Sequence, residues 1–305
     1  MTTTQLANTP PVTSERSVPE ASSPRPDRSV RPAVRVGRIV GSILLVAFAL
    51  ALLVPFFWMV ISSFKGPNEV FSVPVQWLPD TWHWEHYADL WTETGMATWL
   101  RNTILLSAAV TFLQVLTGSF AAYGFAKVRF PGRDVLFLVY LGTIAVPWQS
   151  YMIPQYILMA QAKLTNTLLA LIVLQAFGAF GVFLMKQFFE TIPEELSEAA
   201  RLDGLSEYSI WARIMLPLSV PALAALALLT FVNTWNDYLG PLLYLRSPEN
   251  WTVQLGLKNF IANNLSADYS MLFTGLTISV IPIAIVFLLG QRFFIEGIAT
   301  SGLKG

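Results

Sequence analysis

The residues able to do chemistry are few, and the common arrangements are missing. Six lysines occur (Lys65, Lys127, Lys163, Lys186, Lys258 and Lys304), and none is followed by Ser or Thr. A phosphate-cradling G-x-x-x-x-G-K-[ST] loop therefore has no lysine to build on. There is no cysteine, which excludes disulfides, thiolate metal sites and a cysteine nucleophile. Neither H-E-x-x-H nor G-x-S-x-G occurs, so a hydrolase has no visible metal pair or serine elbow. His83 and His86 flank Trp84-Glu85, but a zinc site needs three or four ligands and no further set accompanies them. What does stand out is a polar stretch from Glu194 to Pro217, EELSEAARLDGLSEYSIWARIMLP, set between two long apolar runs. Its chemistry is that of contact with another macromolecule rather than of bond making.

The rest of the chain is built for a membrane. Hydrophobic residues make up 54% and charged residues only 12%, with a mean hydropathy of +0.54. Soluble domains carry about 25% charged residues. Lys+Arg and Asp+Glu both total 19, so no basic excess points to nucleic acid. Residues 1–37 are rich in Pro, Ser, Thr and Arg and are expected to be a disordered tail, with no cleavable signal peptide. Six charge-free apolar runs follow: Ile39–Phe64, Asn102–Ala126, Val135–Ile153 (with an extension to Ala162 open), Leu164–Met185, about Leu218–Asn236, and Met271–Gln291. Each is near or above the roughly 20 residues that cross a bilayer as a helix. Unpaired backbone is not tolerated in lipid, so the expected fold is all-α with six transmembrane helices.

Positive charge orients them. The tail, 127–134, 186–217 and the end after Gln291 hold 14 Lys+Arg; the alternate segments hold five, Lys65, Arg101, Lys163, Arg246 and Lys258. Both termini and the polar stretch are then expected on the cytoplasmic side. On the other side, 65–101 carries five tryptophans and five acidic residues and reads as a partly helical interfacial segment. A second outer segment covers roughly 240–269.

The polar stretch has its own punctuation. Thr191 and Glu194 are spaced as a T-x-x-E capping box around Pro193, so a helix is expected from about Ile192. Leu196, Ala199 and Ala200 form a small apolar face, and Gly204 stands where the helix should stop. Ser206 can cap a second helix reaching Leu216, and Pro217 marks the return to the membrane. This pattern alone serves a docking element or an unpartnered amphipathic loop equally well.

A resemblance separates those two. Glu198-Ala199-Ala200, three residues, Gly204, nine residues, Ile214, one residue and Leu216-Pro217 match the EAA loop of binding-protein-dependent ABC transporter permeases. FLMKQFFETIPEELSEAARLDG resembles the segment through that loop in carbohydrate-uptake permeases, as do Thr234-Trp235-Asn236-Asp237-Tyr238-Leu239 with Pro241, and Pro147, Gln149, Ile153-Pro154 and Tyr156. The chain is similar to the smaller permease subunit of maltose-type and multiple-sugar importers, from about Arg38 onward. The resemblance implies a type I importer bundle, with a core at about 98–292 and a coupling loop at 190–217. It implies docking of Glu198 as polar contact, Ala199 and Ala200 as close-packing face and Gly204 as turn against a separate ATPase. It also implies a second related permease, two ATPase copies, an extracytoplasmic solute-binding protein, surrounding lipid, the cytoplasmic membrane of a prokaryote, and no cofactor of its own.

Polar groups in the runs are the candidate pathway residues: Gln149, Tyr156, Asn233, Asn236 and Asp237. Asp237 reads either as a helix-end residue near headgroup depth or as a gate or substrate contact. The expected cargo is a sugar, with glycerol 3-phosphate open as an alternative that a path without cations would suit less well. Secondary carriers usually need ionisable groups within their spans, which these runs lack. A non-transporting scaffold is the remaining alternative.

Overall fold

A computed structural model describes residues 32–263 and 269–302. The disorder expected of residues 1–37 falls outside the described residues as far as Arg31, and from Pro32 the chain is already helical. Residues 264–268 of the second outer segment also lie outside them. The chain divides into two units, 1–53 and 54–305. The first holds the N-terminal part of α1 (Pro32–Ser62), and the second begins with the rest of that helix.

The second unit continues with α2 (Glu85–Glu93), α3 (Met96–Lys127), α4 (Arg133–Gly142), α5 (Met152–Gln161), α6 (Leu168–Gln175) and α7 (Ala179–Thr191). After these come α8 (Glu194–Leu202), α9 (Glu207–Ile210), α10 (Leu216–Leu218), α11 (Val220–Trp235), α12 (Leu239–Tyr244), α13 (Val253–Asn263) and α14 (Tyr269–Gly302). Among the described residues, three helices are long and apolar enough to cross a membrane: Ile39–Ser62, Met96–Lys127 and Tyr269–Arg292. Two bent pairs raise the number to five, α6 with α7 at 40° and Glu207–Leu218 with α11 at 84°.

The breaks have local causes. The run expected as a third span, Val135–Ile153, is not one helix. It leaves α4 at Gly142, passes through short 3₁₀ turns at Thr143–Ala145 and Trp148–Ser150, and resumes as α5. Pro147 disfavours helical geometry in the residue before it, and Val146 is extended at φ −83°, ψ 112°. Between α10 and α11, Ser219 leaves helical geometry at φ −106°, ψ 14°, flanked by Pro217 and Pro221.

α3 is the central element. It packs against α7 and α11, where Gly118 lies beside the Gly181 carbonyl carbon. A Cβ at Gly181 would meet Leu226 Cδ1 at 3.1 Å, so the missing side chain lets α7 and α11 approach closely. Tyr123, Val182, Met185, Phe189, Met215 and Leu226 close this core. A second cluster joins Leu90, Met96, Trp99, Val253 and Met271, and a third joins Leu106, Val110, Leu171, Tyr244 and Leu255.

α3 also satisfies the break between α6 and α7. Gln114 Nε2 donates to the Gln175 carbonyl (2.8 Å), and Thr117 Oγ1 donates to the Ala176 carbonyl (2.8 Å). Away from water, such freed carbonyls need a partner. At the far end, Lys65 is fully buried, donates to the Gln76 carbonyl (2.6 Å) and lies 3.7 Å from the Trp58 ring centroid. Burial lowers its pKa, and Glu69 opposes that shift. Phe71, Val73, Trp77, Trp82 and Trp84 stay exposed in this segment.

Thr117→Val keeps the shape of the side chain but leaves the Ala176 carbonyl without its donor. The expected cost is about 1–3 kcal/mol, read as a lower midpoint of thermal unfolding in detergent; an unchanged midpoint would show that the bond is dispensable.

Candidate functional site

The polar stretch folds as an elbow. α8 carries Glu194 and Glu195 in its first turn, where negative charge suits the helix N-terminus. The capping box expected from Thr191 and Glu194 does not form. Thr191 is the last residue of α7, and its hydroxyl donates back to the Phe188 carbonyl (2.7 Å). Pro193 takes the N-cap place with no side-chain bond, and the helix starts at Glu194 rather than Ile192. The expected stop is present. Gly204 has φ +79°, its N–H donates to the Arg201 carbonyl (3.0 Å), and the Leu205 N–H donates to the Ala200 carbonyl (3.0 Å). This paired pattern is the Schellman arrangement, which a left-handed glycine permits. Ser206 caps the next helix, accepting from the Ser209 N–H at 3.3 Å. α9 then widens into a π-helical turn, Trp211–Met215, before α10.

Burial divides the motif residues into two groups. Glu198 and Ala199 are exposed, with Leu196 45% and Leu202 90% accessible. Ala200 instead packs inward, 5% exposed, and Ser197 beside it is fully buried. The apolar face expected from Leu196, Ala199 and Ala200 is therefore split, because Ala200 belongs to the core shared with Phe189 and Ile210. Leu202, which the i, i+3, i+4 reading passed over, takes its place on the outer face. Ile214 and Leu216 pack against the same core, and Pro217 is exposed at the bend.

Polar bonds fasten the elbow to α3. Lys127 Nζ donates to the Ile192 carbonyl (2.6 Å), and Arg129 pairs with Glu194 (2.8 Å). Arg201 donates through Nε to Glu207 (2.7 Å) and through Nη2 to the Lys127 carbonyl (3.1 Å). The Glu207 hydrogen bond raises the pKa of Arg201, against a smaller opposing effect of desolvation. Tyr123 OH donates to the other oxygen of Glu207.

The second feature is a cleft of about 940 Å³ that adjoins one of about 570 Å³. Gln114, Trp148, Tyr151, Gln175, Phe177 and Asp237 line both. Asp237 accepts from Gln175 Nε2 (2.9 Å) and from the Gly240 N–H (3.1 Å), so it serves as a helix-start residue and as a wall of the cleft. Thr230 Oγ1 donates to Gln114 Oε1 at 3.3 Å. Among the described residues, no lysine or arginine lines either cleft. Amides, one carboxylate and aromatic rings are groups that hydrogen-bond and stack on polyhydroxylated molecules.

The five candidate pathway residues separate here. Asn233 and Asp237 line the larger cleft, and Asn236 lines the smaller. Gln149 lies exposed in a 3₁₀ turn and lines neither. Tyr156 also lines neither; its hydroxyl accepts from Arg246 and its ring packs on Tyr244. Gln114, Gln175 and Thr230 line the larger cleft and were not among the candidates, although a lone glutamine within an apolar helix is the same signal that selected Gln149. The His83 and His86 rings stack at 5.4 Å and bond within their own part of the chain, to Thr81, Glu85 and the Ser63 carbonyl.

Three comparisons bear on this geometry. Residues 114–299 match the family model described as binding-protein-dependent transport system inner membrane component. The chain is 34% identical over 266 residues to the probable ABC transporter permease protein YurM of Bacillus subtilis (strain 168), covering 86% of this chain and 87% of that one. It is 34% identical over 254 residues to the arabinooligosaccharides transport system permease protein AraQ of Halalkalibacterium halodurans, covering 82% and 91%. Its fold is similar, at a TM-score of 0.77 and 27% identity, to a chain in the crystal structure of a bacterial ABC transporter involved in the import of the acidic polysaccharide alginate, covering 87% of this chain and 98% of that one.

Gly204 has open space where a Cβ would stand, so Gly204→Ala tests backbone conformation alone. The left-handed geometry should cost about 1–2 kcal/mol, measured as a lower unfolding midpoint and faster proteolysis within the elbow, with Gly204→Asn intermediate. Equal stability of all three would mean that the turn does not require glycine.

Proposed function

The chain belongs to the family of binding-protein-dependent transport system inner membrane components, and from that premise we propose that it carries a neutral sugar, of di- or oligosaccharide size, through the membrane. It is the permease subunit of an ATP-driven importer and is not itself an enzyme. The observation that carries the detailed reading is the exposed face of α8. Leu196, Glu198, Ala199 and Leu202 project from an elbow anchored to the bundle, in a chain with no nucleotide-binding lysine motif. A leucine 90% exposed beside a small alanine and a carboxylate suits a protein cleft better than water.

In this reading a separate ATPase receives that face. Two ATPase copies act on this chain and a second related permease, and the passage lies between the two permeases. α4 and α5, with the turns around Pro147, form a broken third span that completes six, with both termini on the cytoplasmic side. A solute-binding protein delivers cargo to 65–101 and 240–269. Asn233, Asn236, Asp237, Gln114 and Gln175 meet its hydroxyls. The relative AraQ is named for arabinooligosaccharides, which supports an oligosaccharide. The solved neighbour serves an acidic polysaccharide, whereas a cleft with a carboxylate and, among the described residues, no cationic side chain favours an uncharged cargo.

Ala199→Trp and Leu202→Asp place bulk and charge on the docking face without touching the core. Each should reduce ATPase co-purification with the permease by about tenfold or more, the scale of an interface hot spot, while the permease stays in the membrane at normal level. Normal co-purification and normal uptake in both variants would remove the docking assignment.

A further inference from the structure

α3 is bonded to the elbow at one end and to the α6–α7 break towards its middle. At the elbow, one carboxylate gathers three elements. Glu207, at the start of α9, accepts from Tyr123 on α3 and from Arg201 on α8. Arg201 also donates to the carbonyl of Lys127, the last residue of α3 (3.1 Å). Arg201 and Glu207 lie on opposite sides of Gly204, so their pair (2.7 Å) spans the glycine turn. Without it, that turn is a compliant joint. With it, α8 and α9 form a closed elbow, and the Tyr123 hydroxyl bolts that elbow to α3.

The bonds matter because they hold the C-terminal end of α8, while Arg129 and Lys127 hold its start. It is nine residues long, and its only buried side chains are Ser197 and Ala200. A helix of that length is marginal by itself. The Arg201–Glu207 pair is partly exposed, so water screens its charge, and what the guanidinium adds is direction, two bonds to one carboxylate and one to the Lys127 carbonyl. Further along α3, Thr117 and Gln114 hold the Ala176 and Gln175 carbonyls beside the cleft. Tyr123 and Thr117 are separated by less than two turns of one continuous helix.

We propose that Tyr123, Arg201 and Glu207 are positioning residues that make the elbow and α3 move as one body, so that a push on α8 reaches the α6–α7 break and the cleft. This rests on the reading of α8 as the face that an ATPase contacts. The residues touch neither nucleotide nor cargo, and their effect is on how much of the nucleotide-driven motion arrives at the cleft.

The test uses the complete transporter in proteoliposomes. The natural chain has no cysteine, so Asn233→Cys places a single thiol in the cleft. Its labelling by a membrane-impermeant maleimide is measured with and without ATP, beside ATPase co-purification. In the parent chain the labelling rate should change with ATP. Glu207→Gln and Tyr123→Phe should each shrink that change by at least about fivefold, the low end of coupling between sites, with the ATPase retained. Glu207→Asp, which keeps the charge, should restore most of it. A full-sized ATP response in either Glu207→Gln or Tyr123→Phe overturns the proposal while leaving the docking reading intact. Loss of the ATPase from these variants also overturns it, since the knot would then serve docking. Failure of the parent chain to retain an ATPase removes the docking reading and this proposal together. Tyr123→Phe removes one hydroxyl and keeps the ring in its core, so the test stands even if Glu207→Gln fails to fold.

Discussion

A helix that breaks inside an apolar bundle frees carbonyls, and those turned away from water need a donor from elsewhere. At the α6–α7 break the donors come from one element. Gln114 and Thr117 on α3 pair the carbonyls left by the α6–α7 break, and Tyr123 and Lys127 near the end of the same helix bond to the elbow that follows α7. The cost of an unpaired buried carbonyl is about 1–3 kcal/mol, so the break is tolerable only while α3 stays in register with α7. Gly118 and Gly181 keep that register close by allowing the backbones to meet.

The same constraint links structure to function. A break supplies the bend that opens a cleft, and the polar groups that repair it become the wall of that cleft. Gln114 accepts from Thr230 and donates to the Gln175 carbonyl, while the Gln175 side chain donates to Asp237. These groups hold one another at fixed places and still face a space of about 940 Å³. Under the proposed reading, a cleft lined by paired amides offers a hydroxylated solute exchangeable hydrogen bonds rather than a tight site. That suits a membrane subunit of a binding-protein-dependent system.

Much of this was legible in the sequence where the cause is local. Gly204 and Ser206 act where their spacing placed them, because a left-handed stop and an N-cap depend on a few neighbouring residues. Thr191 misled because the T-x-x-E spacing cannot tell whether the preceding helix has ended; α7 runs through it, and its hydroxyl bonds back within that helix. Ala200 is buried and Leu202 exposed, against the expected face, because helical spacing ranks residues around an axis but does not say which side the bundle covers. The run Val135–Ile153 read as one helix because its hydropathy is continuous, whereas Pro147 and the extended Val146 divide it. Tyr156 and Gln149 were chosen as polar groups in apolar runs; neither lines a cleft, and the Tyr156 hydroxyl accepts from Arg246, far along the chain. Long-range packing decided which polar groups face the cleft, and no window of sequence contains it.

A partner engaging the exposed end of α8 would meet Leu202, which is 90% accessible and so reports on that contact most directly. A single cysteine at that position, in a chain that otherwise has none, can carry a photo-activated crosslinker in membranes that contain the whole transporter. Illumination should yield one adduct, with the nucleotide-hydrolysing subunit, formed only when the label has access from the cytoplasmic face. An adduct with no such subunit, or labelling of Leu202→Cys from the outer face in sealed cells, would contradict the account.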